Sequence, residues 1–80
     1  LRGKLEAVYC KAARDTTSPT YRHEGEEVGY VIRGRVRVTV GEHVFVLARG
    51  DAISYPSHLP HFWHALTDTE ILWVATPPSW

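Results

Sequence analysis

The sequence predicts a small all-β domain, a barrel or a sandwich, and three observations carry that reading. Short runs rich in Val, Ile, Tyr, Phe and Trp recur along the chain, each stopped by glycine, proline or a polar turn. Arg35–Val40 alternates polar and apolar residues, the period-two signature of a half-buried strand. No stretch carries the 3.6-residue apolar repeat of an amphipathic helix.

The elements follow in order. Leu5–Lys11 reads as a first strand, and Thr16–Thr20 as a loop by composition. Tyr30–Ile32 is a short β-rich run closed by Gly34. Arg35–Val40 and His43–Leu47 form a hairpin across Gly41-Glu42, a glycine-first pair that suits a type II′ turn. Arg49–Asp51 turns the chain into Ala52–Tyr55, which Pro56 stops. A loop over His58–His61 leads to a strand over Phe62–Leu66. Thr67–Thr69 turns again, Glu70–Ala75 is the last strand, and Pro77-Pro78 ends it.

Composition narrows the function classes. The chain has 80 residues, enough for one small domain spanning 1–80. Nine basic and nine acidic residues leave a formal net charge of zero, so no basic footprint for nucleic acid is present. Arg33, Arg35 and Arg37 alternate along a strand and read as its solvated face. Cys10 is the only cysteine, which excludes an internal disulfide and fits a reducing, cytoplasmic setting. No apolar run approaches the ~20 residues of a membrane-spanning helix, so no membrane partner is expected. No signal peptide is recognisable, and a first residue of Leu1 in place of Met points to a piece of a longer protein.

Two blocks carry the chemistry. The first runs from Tyr21 through His23, Gly25 and Glu27 to Gly34, and the second from Gly50 through Pro56 and His58 to His61. His23, Glu27 and His61 are competent metal ligands, two imidazoles and a carboxylate. Four residues along a straight strand span about 13 Å, too far for His23 and Glu27 to share an ion at ~2.0–2.2 Å from each. The chain must therefore bend between them, and Gly25 is the residue that permits it, by positive φ or in a bulge. Each residue also has a plainer role. His23 could be a turn histidine bonded to backbone, Glu27 a surface charge beside Glu26, His61 a rim residue and Tyr21 a packing residue. His43, His58 and His64 read as exposed or satisfied histidines, Trp63, Trp73 and Tyr55 as mostly core with one or two at a pocket mouth, and Cys10 as a buried hydrophobe.

The spacing of the two blocks resembles the cupin superfamily, whose motifs are written G-x5-H-x-H-x3–4-E-x6-G and G-x5-P-x-G-x2-H-x3-N. Here they read Tyr21-x-His23-x3-Glu27-x6-Gly34 and Gly50-x5-Pro56-x-His58-x2-His61-x3-Ala65, over half the chain. Tyr21 stands where the first ligating histidine belongs, and Asp15 where the leading glycine belongs. His58 and Ala65 replace a glycine and an asparagine. The resemblance implies a jelly-roll β-barrel and a metal held by three histidines and a glutamate, of which His23, Glu27 and His61 remain. The block from His23 to Gly34, with the ending Leu72–Trp80, also resembles the C-terminal sensor cupin of bacterial helix-turn-helix (XRE-like) transcription regulators.

The resulting expectation is a domain that binds a small-molecule effector in the barrel, beside a divalent zinc, iron, manganese or nickel on His23, Glu27 and His61. Tyr21, Tyr55 and Trp63 would contact the effector, and no residue is assigned a catalytic role. DNA would be reached through a helix-turn-helix domain ahead of Leu1, not by this domain. The alternative is a metal-dependent cupin enzyme, a dioxygenase or isomerase; a third reading is a metal-free structural or dimerisation domain. A homodimer is expected, because Leu5, Val8, Val28, Tyr30 and Ile32 fall on faces that so small an interior would leave uncovered.

Overall fold

The computed structural model describes residues 4–77; the last three residues of the sensor-like ending lie outside them. Among the described residues seven strands form where seven were expected: β1 Glu6–Ala12, β2 Glu26–Arg33, β3 Arg35–Val40, β4 His43–Ala48, β5 Ala52–Pro56, β6 His61–Ala65 and β7 Thr69–Thr76. They pair antiparallel into two sheets, one ordered β1-β7-β2-β5 and the other β4-β3-β6. No helix occurs among the described residues.

Alternation decides which side chains go inside. On β7, Ile71, Trp73 and Ala75 are buried while their neighbours are half-exposed, and on β3 Val36, Val38 and Val40 do the same. With Val31 and Tyr55, the larger of these residues make the core between the sheets. The arginines of β2 and β3 stay on the solvated face, where Arg33 lies 3.6 Å from Glu70.

Three expectations change. β2 is longer than the run Tyr30–Ile32, because β7 and β5 pair with it on both sides and so carry Glu26, Glu27 and Gly29 into the strand despite their weak β preference. His61 opens β6 opposite Val40 and does not belong to the preceding loop. The stretch 15–21 does not hang free as a loop. It runs along β6 through the pairs Asp15 N to Ala65 O (2.8 Å), Ser18 N to Trp63 O (2.9 Å) and Tyr21 N to His61 O (2.8 Å). Pro19 interrupts that ladder, which is why composition alone reads it as a loop. Asp15 also explains the missing leading glycine: its φ is +69°, a left-handed conformation that glycine takes freely and aspartate tolerates.

Candidate metal centre and pocket

The bend that the sequence demands is present. Gly25 has φ +98° and sits one residue before β2, so His23 turns back over the start of the strand that carries Glu27. Ser57, fully buried, fastens both sides of the turn. Its N–H donates to Gly25 O (2.8 Å), and its carbonyl accepts from His23 N–H (3.0 Å). His61 arrives from the opposite sheet, and its backbone pairs with Tyr21.

These elements bring His23, Glu27 and His61 together, with one ligand atom from each within 4.8 Å of the others. His23 Nε2 lies 2.6 Å and His61 Nε2 3.3 Å from Glu27 Oε1. Around an octahedral ion at ~2.1 Å neighbouring donors stand about 3.0 Å apart, between these two distances, and around a tetrahedral one about 3.4 Å, close to the longer. The two histidine rings meet edge to face at 5.3 Å.

Hydrogen bonding sets the polarity of the cluster. His61 Nδ1 is 2.7 Å from Leu59 O, and His23 Nδ1 is 3.1 Å from Glu24 O. A carbonyl only accepts, so each Nδ1 is placed to donate to it, which leaves each Nε2 turned toward Glu27. Glu27 and His61 are 4% and 3% exposed, and neither Glu27 Oε1 nor His61 Nε2 makes a hydrogen bond. A buried lone pair facing a carboxylate oxygen is unfavourable unless a cation or proton lies between them. Two imidazole nitrogens and a carboxylate oxygen therefore fit a divalent ion. The other carboxylate oxygen is held separately: Tyr55 Oη donates to Glu27 Oε2 at 2.8 Å. Burial, with Glu27 beside it, pushes the Tyr55 phenol far above its ordinary range.

A cavity of about 170 Å³ opens beside the cluster, with Glu27 and His61 at its polar end. Its walls are Tyr21, Tyr55, Trp63 and Trp73, with Val8 and Cys10 between them. All three residues expected to contact a small molecule thus line the same cavity as two of the expected ligands. Tyr21 is 45% exposed at the mouth, and its ring centroid is 6.0 Å from that of His61. Val8 corrects an expectation, since it faces this cavity and not an uncovered outer surface. Cys10 is half-buried in the wall, and burial raises its thiol above the usual value.

Sequence reasoning missed the pocket roles of Trp73 and Cys10 and the fastening role of Ser57. Trp73 pairs with Gly29, and a Cβ on Gly29 would stand 2.8 Å from Trp73 Cε3, so the glycine makes room for the indole. The other histidines stay out of the centre. His43 and His58 are exposed, His43 stacking on Phe45, and His64 Nδ1 is 2.6 Å from Thr17 Oγ1.

A two-sheet β-barrel with a histidine–carboxylate cluster at the end of an aromatic cavity defines a class of metal-competent barrel domains. The family model of the cupin domain matches residues 8–77, and the chain belongs to that family; its fold is the cupin jelly roll. An uncharacterized protein of Streptomyces coelicolor, SCO3923, is 36% identical over 65 residues, covering 80% of this chain. The chain spans only 62% of that relative's length. Among solved structures, KdgF from a Halomonas species is similar over 95% of this chain and 71% of its own, with 29% identity and a TM-score of 0.87. Bacillus subtilis oxalate decarboxylase, which has Mn(II) centres, is similar over 96% of this chain and 22% of its own, with 28% identity and a TM-score of 0.88.

Proposed function

We propose that this domain binds a divalent metal ion through His23, Glu27 and His61 and a small effector molecule in the adjoining cavity, as the sensing part of a transcription regulator. The observation that carries the metal is the convergence of buried His61 Nε2, its other nitrogen facing Leu59 O, and of His23 Nε2 on the single oxygen Glu27 Oε1. The donor set suits zinc, iron, manganese and nickel alike. When bound, the ion supplies a Lewis acid at the polar end of the cavity.

Sensing is favoured over catalysis by what else lines the cavity. Apart from Glu27 and His61, its ionisable groups are thiol and phenols, and burial raises both the Cys10 thiol and the Tyr55 phenol. Neither suits proton transfer near neutral pH. Binding needs only an apolar wall and a few convergent polar groups, which are present. The likeness of the His23–Gly34 block to sensor cupins supports the regulator role.

Elemental analysis of protein purified without chelator, with melting temperature followed on adding zinc, manganese, nickel or iron(II), tests the metal. Stoichiometric uptake with a raised melting temperature that His61→Ala abolishes is the expected result. No uptake and no shift would refute it. The coding sequence tests the regulator role, which a helix-turn-helix encoded ahead of Leu1 supports and a stop codon directly upstream removes. Metal-dependent consumption of a bound compound would replace sensing by the enzyme reading.

A further inference from the structure

The two sheets have four edges, and among the described residues three of them are protected. The 15–21 segment covers β6. β1 carries Glu6 and Lys11, and β5 is only five residues long and ends on Pro56. β4 has none of these devices. It holds no lysine, proline or carboxylate, its register with β3 has no bulge, and Val44, Phe45 and Val46 are all exposed. Ala48 shows which way its free groups point. Its N–H donates to Asp51 Oδ2 (2.9 Å) and its carbonyl accepts from Asp51 N–H (2.9 Å), so both turn away from β3. In an antiparallel ladder that direction repeats every second residue. The N–H and C=O of Val46 and Val44 therefore also point outward, and no backbone partner among the described residues takes them up on that side.

The outer face beside this edge is basic. Arg35 and Arg37 stand on it opposite Ala48 and Val46, and His64 of β6 lies opposite Arg37. Neither guanidinium has an ion-pair or hydrogen-bond partner among the described residues. The bordering carboxylates are engaged elsewhere. Asp15 faces His64 Nε2 (3.5 Å) and Arg14 (3.9 Å), and Asp51 holds the Ala48 amide. Arg33 is not part of this face, since it lies on the other sheet against Glu70. Arg35 and Arg37 are ~6.8 Å apart along β3, the spacing of alternate side chains on any strand laid beside it. A strand added at β4 would lie about 9.6 Å from β3, two strand spacings. An arginine and a glutamate bridge that span between them, the arginine stem lying over the small Val46 side chain.

We propose that the β4 edge is a docking site for an extended acidic segment of a protein partner. The segment adds a strand through Val44 and Val46 and sets carboxylates at alternate positions against Arg35 and Arg37. Charge complementarity chooses this occupant over a second copy. Pairing β4 with β4 would set valine against valine and leave the arginines of both copies without counter-charge. A nucleic acid has no peptide backbone to complete the edge. The site is independent of the metal centre, and it belongs to the other sheet from the apolar face of β1, β7 and β2.

The test is an NMR titration of the whole chain at low salt with a blocked seven-residue peptide of valine and threonine carrying glutamate at its third and fifth positions. The same peptide with glutamine at both is the control. The glutamate peptide is expected to shift the amide resonances of Val44 and Val46 and to slow their hydrogen exchange, leaving the edge amides of β1 and β5 unchanged. The glutamine peptide should bind at least about fivefold more weakly, and Arg35→Gln with Arg37→Gln should bring the two peptides level. Val46→Pro, which removes an outward N–H and leaves the β3 ladder intact, should weaken the glutamate peptide at least about tenfold. The paired arginine variant, which leaves the backbone untouched, decides the matter should the proline variant fail to fold. No shift at millimolar peptide, equal binding of the two peptides by the unaltered chain, or protection at another edge would overturn the proposal. So would protection of Val44 and Val46 in the chain alone that rises with its concentration, which would assign the edge to a second copy.

Discussion

Replacing Gly25 by alanine tests the bend on which the whole site depends. Two costs are expected. The first is conformational: at φ +98° a Cβ meets its own backbone, at about 1–2 kcal/mol. The second is contact. The new Cβ would overlap the Thr76 carbonyl oxygen and lie 2.7 Å from Pro77 Cδ, and a backbone oxygen cannot swing away as a side chain does. Forcing such an overlap costs a further ~1–3 kcal/mol. Gly50 is the internal control, since its φ of +89° is similar but nothing lies within 4 Å of the Cβ that alanine would add. Gly50→Ala should therefore show the first cost alone.

The expected loss is about 2–5 kcal/mol for Gly25→Ala and about 1–2 kcal/mol for Gly50→Ala. An 80-residue domain has a total stability of only about 4–12 kcal/mol, so the difference is large. Urea unfolding in chelator reads it as a midpoint separation of about 1–2 M between the two variants. Zinc titration of both adds a second readout. Gly25→Ala should lose at least about tenfold in affinity because His23 is displaced, and Gly50→Ala should match the unaltered protein. Equal unfolding midpoints together with equal zinc affinities would refute the claim that this turn delivers His23 to the site.

Three further outcomes are expected. Tyr55→Phe removes the donor to Glu27 Oε2 and should weaken zinc binding about 10–100-fold, read by competition with a chelating dye; unchanged affinity would show that the bond does not orient the carboxylate. Because burial raises the Cys10 thiol, its alkylation should keep accelerating above the pH at which a free cysteine levels off, and a plateau at the ordinary thiol value would contradict this. The outer face of the four-stranded sheet exposes Tyr9, Val28, Tyr30 and Ile32, so two copies are expected to pair there. Sedimentation at tens of micromolar should show a dimer that Tyr30→Glu dissociates, and a monomer throughout would leave that face unexplained.

Much of the fold was legible because period-two alternation and turn residues act locally. β3 and its hairpin with β4 needed nothing more than Arg35–Val40 and Gly41-Glu42. β2 was the weakest prediction for the opposite reason. Glu26, Glu27 and Gly29 are poor strand residues, and only two pairing partners, far along the chain, hold them extended. The meeting of His23, Glu27 and His61 was legible from spacing plus the required bend. The hydrogen bonds that aim them were not: Leu59 O, Glu24 O and Ser57 are backbone or small-residue contacts with no signature in sequence. The cavity was half legible. Tyr21, Tyr55 and Trp63 flank the motifs, whereas Trp73, Val8 and Cys10 enter it only through the register of β1 on β7 and β7 on β2.

The same arrangement also ties the site to the stability of the domain. Glu27 is buried with one oxygen bonded to Tyr55 and the other facing two imidazoles. In the metal-free chain that carboxylate is a desolvated charge with only part of its hydration replaced, and such a charge destabilises a fold. A bound ion reverses the sign of this term, because the assembled donor set exists only in the folded chain. Binding free energy then adds to folding free energy by RT ln(1 + [M]/Kd), about 2.7 kcal/mol when the free ion is at 100 times Kd. For a domain of this size that is a substantial share of the total. Stripping the metal should therefore do more than empty the site. It should loosen the 15–25 segment that carries His23, because Glu27 and His61 sit on paired strands while His23 lies between the turn at Gly25 and the backbone pair at Tyr21. Hydrogen exchange reads this directly. The amide of His23, bonded to Ser57 O, should exchange faster without metal, while the β4 amides bonded to β3, on the strand that pairs with β3 alone, should follow global stability alone. Equal protection of the His23 amide with and without metal, in protein shown to bind it, would break the link between site and fold.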